Sequence, residues 1–256
     1  MRVVCATLLG WAVLSASGCA GLVPAPAVDP GPDPAAGWAR VLHRYVDDSG
    51  RVDFAALAGD RAELDRYVAS LYAAEPNSAP ERFRTRAHLL AHHLNAYNAL
   101  AMFNVLERGV PRSLGGIELA RFFYLRRFSI DGAPLSLYAY ENDVIRPLGE
   151  ERVHFALNCM SASCPRLPRA PFGAETLEAN LEGEARRFLN EPRNVRVDDA
   201  NKVVTLSAIF DFYAKDFLAT APSLIAYVNR YRNTPIPADY RVEFLPYDWT
   251  VNAQPR

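Results

Sequence analysis

Two cysteines five positions apart, Cys159 and Cys164, follow a histidine in the string Val153-His154-Phe155-Ala156-Leu157-Asn158-Cys159-Met160-Ser161-Ala162-Ser163-Cys164-Pro165. A thiolate attacks acyl carbonyls well, and a paired imidazole lowers the thiol pKa and takes its proton. One chemistry these residues permit is acyl transfer or amide hydrolysis on peptide or cell-wall amides. In it Cys159 is the nucleophile, His154 the general base, and Glu141 or Asp248 orients the ring. The competing reading is a Cys159–Cys164 disulfide that closes the loop of a non-catalytic binding or scaffolding domain. Joined sulfurs are lost to hydrolysis and keep only redox roles. A third reading joins Glu141, His154 and one or both sulfurs around zinc. No short CxxC or HxxxH pair anchors that set, so no metal or cofactor is expected.

Other polar residues sit in apolar surroundings. Asn95 and Asn98 lie three apart in a stretch otherwise made of Leu, Ala, Tyr, Met and Phe. A buried amide left unbonded costs on the order of 1–3 kcal/mol. These two therefore either tie the helix to neighbouring backbone or present an N–H to an oxyanion. His88 and His92, at i and i+4, have no third ligand evident nearby and read as a helix edge. The string Arg121-Phe122-Phe123-Tyr124-Leu125-Arg126-Arg127-Phe128 mixes aromatics with cations. It suits lipid headgroups or an anionic glycan, or else a core edge with solvated arginines. Tyr247-Asp248-Trp249 is expected to pack under the site as a lid.

The elements that must hold these groups alternate without a regular βαβ rhythm, which predicts an α+β fold with short, mostly antiparallel strands. Asp60-x-x-Glu63 opens a helix carrying Leu64, Tyr67, Val68 and Leu71. A longer helix runs from Thr85 or Arg86 to Arg108, closed by Gly109 and Pro111. Further helices are expected over 113–123, 137–145, 176–189, 207–218 and 222–231. Hairpins are expected around Asp131-Gly132 and 198–201, a last strand over 240–245, and a central strand over 153–157 that carries His154 inward.

The N-terminus reads as a lipoprotein signal over 1–18. Arg2 precedes the apolar run Val3–Leu14, too short to span a bilayer, and Ala16-Ser17-Gly18-Cys19 forms a lipobox. Acylation of Cys19 would anchor the chain to a membrane without a transmembrane helix. Ala20 in place of Asp resembles lipoproteins sent to the outer membrane, with the domain facing the periplasm and a cell-wall or envelope protein as partner. Signal removal takes Cys5 and acylation takes Cys19, leaving Cys159 and Cys164. Residues 19–37 contain five prolines among 24–34 and read as a semi-rigid tether, with one globular domain over 38–252. Charge is balanced at net −1, which excludes a basic field for nucleic acid.

Four strings together resemble one family, the domain of unknown function 547, over most of residues 85–252. They are Asn95-Ala96-Tyr97-Asn98-Ala99-Leu100, His154 to Pro165, Leu206 to Tyr213 with Asp216-Phe217, and Tyr247 to Asn252. The resemblance implies a fold neighbourhood and no established chemistry. A strand-borne His is also similar to papain-like and transglutaminase-like arrangements. In those a helix begins with the nucleophilic Cys, whereas this helix offers Asn95 and Asn98.

Overall fold

The computed structural model describes residues 21–73, 76 and 79–255, and over them helices and short strands make an α+β fold. The signal peptide expected at 1–18 and the acyl-bearing Cys19 lie outside the described residues. Helices α1 (Pro34–Tyr45), α2 (Phe54–Gly59), α3 (Ala62–Ala73) and α4 (Arg86–Glu107) build the first half. α1 begins inside the stretch read as tether. Asp33 caps it by accepting the Ala36 N–H at 3.0 Å, and Pro34 sits in the first turn, where its missing N–H costs nothing. The proline-rich segment is therefore docked on the domain rather than a free spacer. Val23 is buried, its N–H donates to the Arg127 carbonyl, and its own carbonyl receives the Tyr72 hydroxyl at 3.0 Å.

α4 is capped by Thr85 and buried almost all round from Leu90 to Leu106, as a helix with apolar residues on every side must be. The segments α5 (Ile117–Ala120) and α6 (Leu137–Ala139) each run on into π-helical turns, Arg121–Leu125 and Tyr140–Ile145. Between them β1 (Arg127–Ile130) and β2 (Ala133–Ser136) form the expected hairpin. Asp131 and Gly132 both take positive φ there, the geometry that suits a tight hairpin turn.

In the second half, α7 (Leu177–Asn190) leads to β3 (Val195–Asp198) and β4 (Val203–Leu206), an antiparallel pair to which β5 (Arg241–Phe244) adds in parallel. The helix expected over 207–218 is two pieces, α8 (Ile209–Phe212) and α9 (Ala214–Leu218), broken at Tyr213, and Ser223 caps α10 (Leu224–Val228). Two apolar cores result. α7 bridges them, with Leu177 and Leu181 in the first and Ala185, Phe188 and Leu189 in the second.

The central strand expected over 153–157 is absent; a 3₁₀ turn, Glu151–Phe155, stands there. Its apolar residues serve two cores rather than two faces of a sheet. Successive side chains of a 3₁₀ turn diverge by about 120°. Val153 accordingly enters the first core, Phe155 the second, and His154 points between them. No helix among the described residues is long and apolar enough to cross a membrane.

Candidate functional site

A cavity of about 360 Å³ opens where the two cores meet, lined by Tyr97, Glu141, His154, Cys159, Cys164, Tyr213 and Tyr247 among others, with Tyr124, Tyr138 and Phe212 at its exposed rim. Both π-helical turns feed it, Phe123 and Tyr124 from one and Glu141 and Asn142 from the other. Such turns re-aim side chains that a regular helix would place elsewhere.

The cysteine loop is built by amides. Asn98 donates through Nδ2 to the Ala156 carbonyl at 3.0 Å and accepts the Asn158 N–H at 2.7 Å. Asn158 in turn donates to the Pro165 carbonyl at 2.6 Å and accepts the Met160 N–H at 2.7 Å. This relay pins both ends of the loop and supports the buried Met160 in the left-handed region at φ 68°. The C-terminal segment seals the loop, since the Ala162 N–H donates to Thr250 at 2.7 Å and the Asn252 N–H to Met160 at 3.0 Å.

Cys159 Sγ and Cys164 Sγ consequently stand 2.7 Å apart as free thiols, 8% and 4% exposed. The Tyr247 hydroxyl caps the pair, 3.3 Å from Cys164 Sγ and 3.6 Å from Cys159 Sγ, and receives the Ser161 hydroxyl at 3.0 Å. Burial, reinforced by the Cys164 neighbour, pushes the Cys159 thiol well above its usual range. Burial also acts to raise Cys164, but hydrogen bonds from Cys159, Ser161 and Tyr247 outweigh it and bring this sulfur down to about 6. The Cys159 N–H also donates to Cys164 Sγ at 3.1 Å, so the surroundings favour the charge of a singly ionised pair on Cys164.

His154 is held from three sides. Its Nε2 lies 2.8 Å from Asp216 Oδ2, and Asp216 receives Arg146 bidentately through Nε and Nη2, both at 2.7 Å. Tyr213 stacks on the imidazole with centroids 3.8 Å apart, and Phe217 meets it edge-on. The hydrogen bond with His154, then that with Arg146, holds the Asp216 carboxyl far below the usual carboxylate range. Glu141 lies deeper in the cavity wall and accepts the Tyr97 hydroxyl at 3.2 Å. Burial, then the charge of Glu141, pushes the Tyr97 and Tyr213 phenols well above their ordinary range, so both remain neutral donors.

Several sequence expectations change here. The acid that orients His154 is Asp216, not Glu141 or Asp248. The Asp248 carboxylate instead accepts the Thr250 N–H at 2.9 Å in a separate hollow. Tyr213, Asp216 and Phe217, spaced i, i+3, i+4, all reach the imidazole, and that spacing was the available signal. Asn95 and Asn98 do not line the cavity. Asn95 donates to the Ala91 and Phe172 carbonyls and accepts the Phe172 N–H, so both amides serve backbone rather than an oxyanion. Among the described residues no hydrogen bond joins His154 to either sulfur, and no group of three or more His, Cys, Asp or Glu side chains is placed to hold a metal ion. His88 is engaged by the Thr85 hydroxyl at 2.8 Å.

Residues 81–189 match the family model described as "Protein of unknown function, DUF547", a span holding α4, both π turns, His154 and the cysteine loop. No curated protein and no solved structure matches the chain.

Proposed function

We propose, for a chain whose residues 81–189 match the DUF547 family model, that the cavity is a dithiol–disulfide centre acting by thiol–disulfide exchange on small or side-chain-sized sulfur ligands. The observation that carries this reading is the 2.7 Å separation of Cys159 Sγ and Cys164 Sγ on the wall of an aromatic cavity. Bringing two sulfurs together requires the Asn98–Asn158 relay and a left-handed Met160, an arrangement that a lone nucleophile does not need.

The step balances as follows. The Cys164 thiolate attacks one sulfur of a ligand disulfide, forming a mixed disulfide and releasing the other half as a thiolate that takes up a proton. Cys159 gives up its proton and attacks Cys164 Sγ, closing the protein disulfide and releasing the second half. The ligand gains two electrons and the cysteine pair loses them. A second dithiol, from a small molecule or an envelope protein, returns the pair to its reduced form. Tyr247, whose hydroxyl receives that of Ser161, donates to the attacking thiolate, and Glu141 with its tyrosines and the His154–Asp216 pair supply polar contacts to the ligand. The cavity volume is of the order typical for small ligands.

The lipobox at Cys19 supports placing this centre on an acylated outer-membrane lipoprotein facing the periplasm, where thiol pairs cycle with oxidants. The test uses reduced full-length protein and 5,5′-dithiobis(2-nitrobenzoate). Wild type should release two equivalents of the coloured thiolate and end with closed cysteines. Cys159→Ser should stop at one equivalent with the probe attached to Cys164. Release that survives Cys164→Ser unchanged would overturn the assignment.

A second reading is acyl transfer, favoured by one observation: an imidazole oriented by a carboxylate lines the same cavity as the sulfurs. It requires His154 to move within reach of a sulfur. It would be supported by a thioester trapped on Cys159 or Cys164 by an activated acyl ester, abolished in His154→Ala.

A further inference from the structure

The chain enters the described fold beside the cavity rim, and its first residues are fixed there. Arg127 donates its N–H to the Gly21 carbonyl at 2.7 Å, the Val23 N–H donates to Arg127 at 2.8 Å, and Leu22 bridges Arg127 in parallel. Gly21 has φ 99°, and a Cβ at this position would collide with the Leu125 carbonyl, so only glycine passes here without strain. Cys19 precedes Gly21 by two positions, and two residues of chain span at most about 7 Å. A lipid on Cys19 therefore holds Gly21 and Leu125 at the bilayer surface, with no spacer between.

The surface around that point suits such a place. Leu125 is 60% exposed and Ile117, earlier in the same helical segment, is 68% exposed. Leu22, Tyr124 and Tyr138 are also exposed, and the last two rings meet at a tilt on the cavity rim, centroids 4.6 Å apart. Arg127 stands exposed on the same stretch, as does Arg121, which is paired with Glu118 at 2.9 Å. Apolar side chains flanked by tyrosines and arginines match the headgroup region of an anionic membrane.

We propose that the face formed by Leu22, Ile117, Tyr124 and Leu125 lies on the membrane that carries the acyl anchor, so that the cavity opens at headgroup level. This rests on the acylation of Cys19 proposed above. It limits ligands to molecules that partition to the interface or lie on proteins seated there. The expected tether that lifts the domain off the membrane is replaced by a domain lying flat on it.

Acylated full-length protein in phosphatidylethanolamine–phosphatidylglycerol vesicles tests this by hydroxyl-radical footprinting, against the Cys19→Ser chain free in solution. Intact mass first establishes the acyl group, which separates failure of the anchor from failure of the docking. Ile117, Tyr124 and Leu125 should lose reactivity several-fold on vesicles, while the exposed Leu218 and Phe244 of the second half stay unchanged. Leu125→Glu in the acylated protein should restore reactivity at Ile117 and Tyr124. Equal reactivity of that face on and off vesicles, in protein shown to be acylated, overturns the proposal. So does equal protection of the Cys19→Ser chain at high concentration, which would assign the face to a second copy.

Discussion

The Tyr247 hydroxyl lies 3.3 Å from Cys164 Sγ although 83 residues separate them in the chain. The contact exists because the C-terminal segment pairs with the cysteine loop, so the sulfurs meet their phenol only in the complete fold. Removing that hydroxyl isolates its effect. In Tyr247→Phe the Cys164 pKa should rise from about 6 toward the ordinary thiol range, since one of the hydrogen bonds favouring its thiolate is gone. Iodoacetamide labelling of reduced protein against pH measures it. The wild-type rate should climb through about pH 6, and the variant's through a higher pH.

Asn98→Ala should be costly. It leaves the Ala156 carbonyl and the Asn158 N–H without their partner in a buried place, at about 1–3 kcal/mol for each group. Urea unfolding of the reduced protein should register this loss. The remaining folded molecules should close their disulfide more slowly, because the loop ends are no longer pinned.

Asp216→Asn changes the acid limb of stability. The folded carboxyl is held below its unfolded value, so its contribution is fully present above about pH 4 and is lost as pH falls below that toward the folded value. The stability gap between wild type and Asp216→Asn should therefore shrink as the pH falls below about 4. A gap that stays unchanged across that acid range would contradict the assigned pairing with His154 and Arg146.

Gly21→Ala places a Cβ against the Leu125 carbonyl at a positive φ. The added atom and that oxygen cannot both stay in place, so the chain must shift at Gly21 and its hydrogen bonds with Arg127 should weaken or break. Faster amide exchange at Val23 and Arg127, with the rest of the domain unchanged, would be the sign.

How far the sequence reached follows from what sets each element. α4 was legible because Thr85 and Gly109 mark its ends, and the β1–β2 hairpin because Asp131-Gly132 demands a tight turn. The cysteine loop was legible as a place where two thiols, an imidazole and buried amides come near one another, since all were singled out. The turn at 151–155 was not, because a short apolar run buried without a break reads the same whether it is a central strand or a 3₁₀ turn between two cores. The π turns leave no signature in residue type, and they deliver Tyr124 and Glu141 to the cavity. Asp216 was visible beside one of the strings that carry the resemblance, yet its role depends on α9 packing beside a turn 62 residues earlier. The docking of Gly21–Val23 escaped because prolines predict extension, and extension is compatible with both a tether and a strand-like edge.

A redox role requires that Cys159 and Cys164 interconvert between dithiol and disulfide inside an intact fold. Equilibrating the full-length protein in glutathione buffers of graded potential, quenching with an alkylating agent and weighing the products tests it directly. A reversible transition between doubly alkylated and closed forms is expected, with no change in the circular dichroism of the fold. Two thiols that stay alkylatable in fully oxidised buffer, or a closed pair reducible only after unfolding, would contradict it.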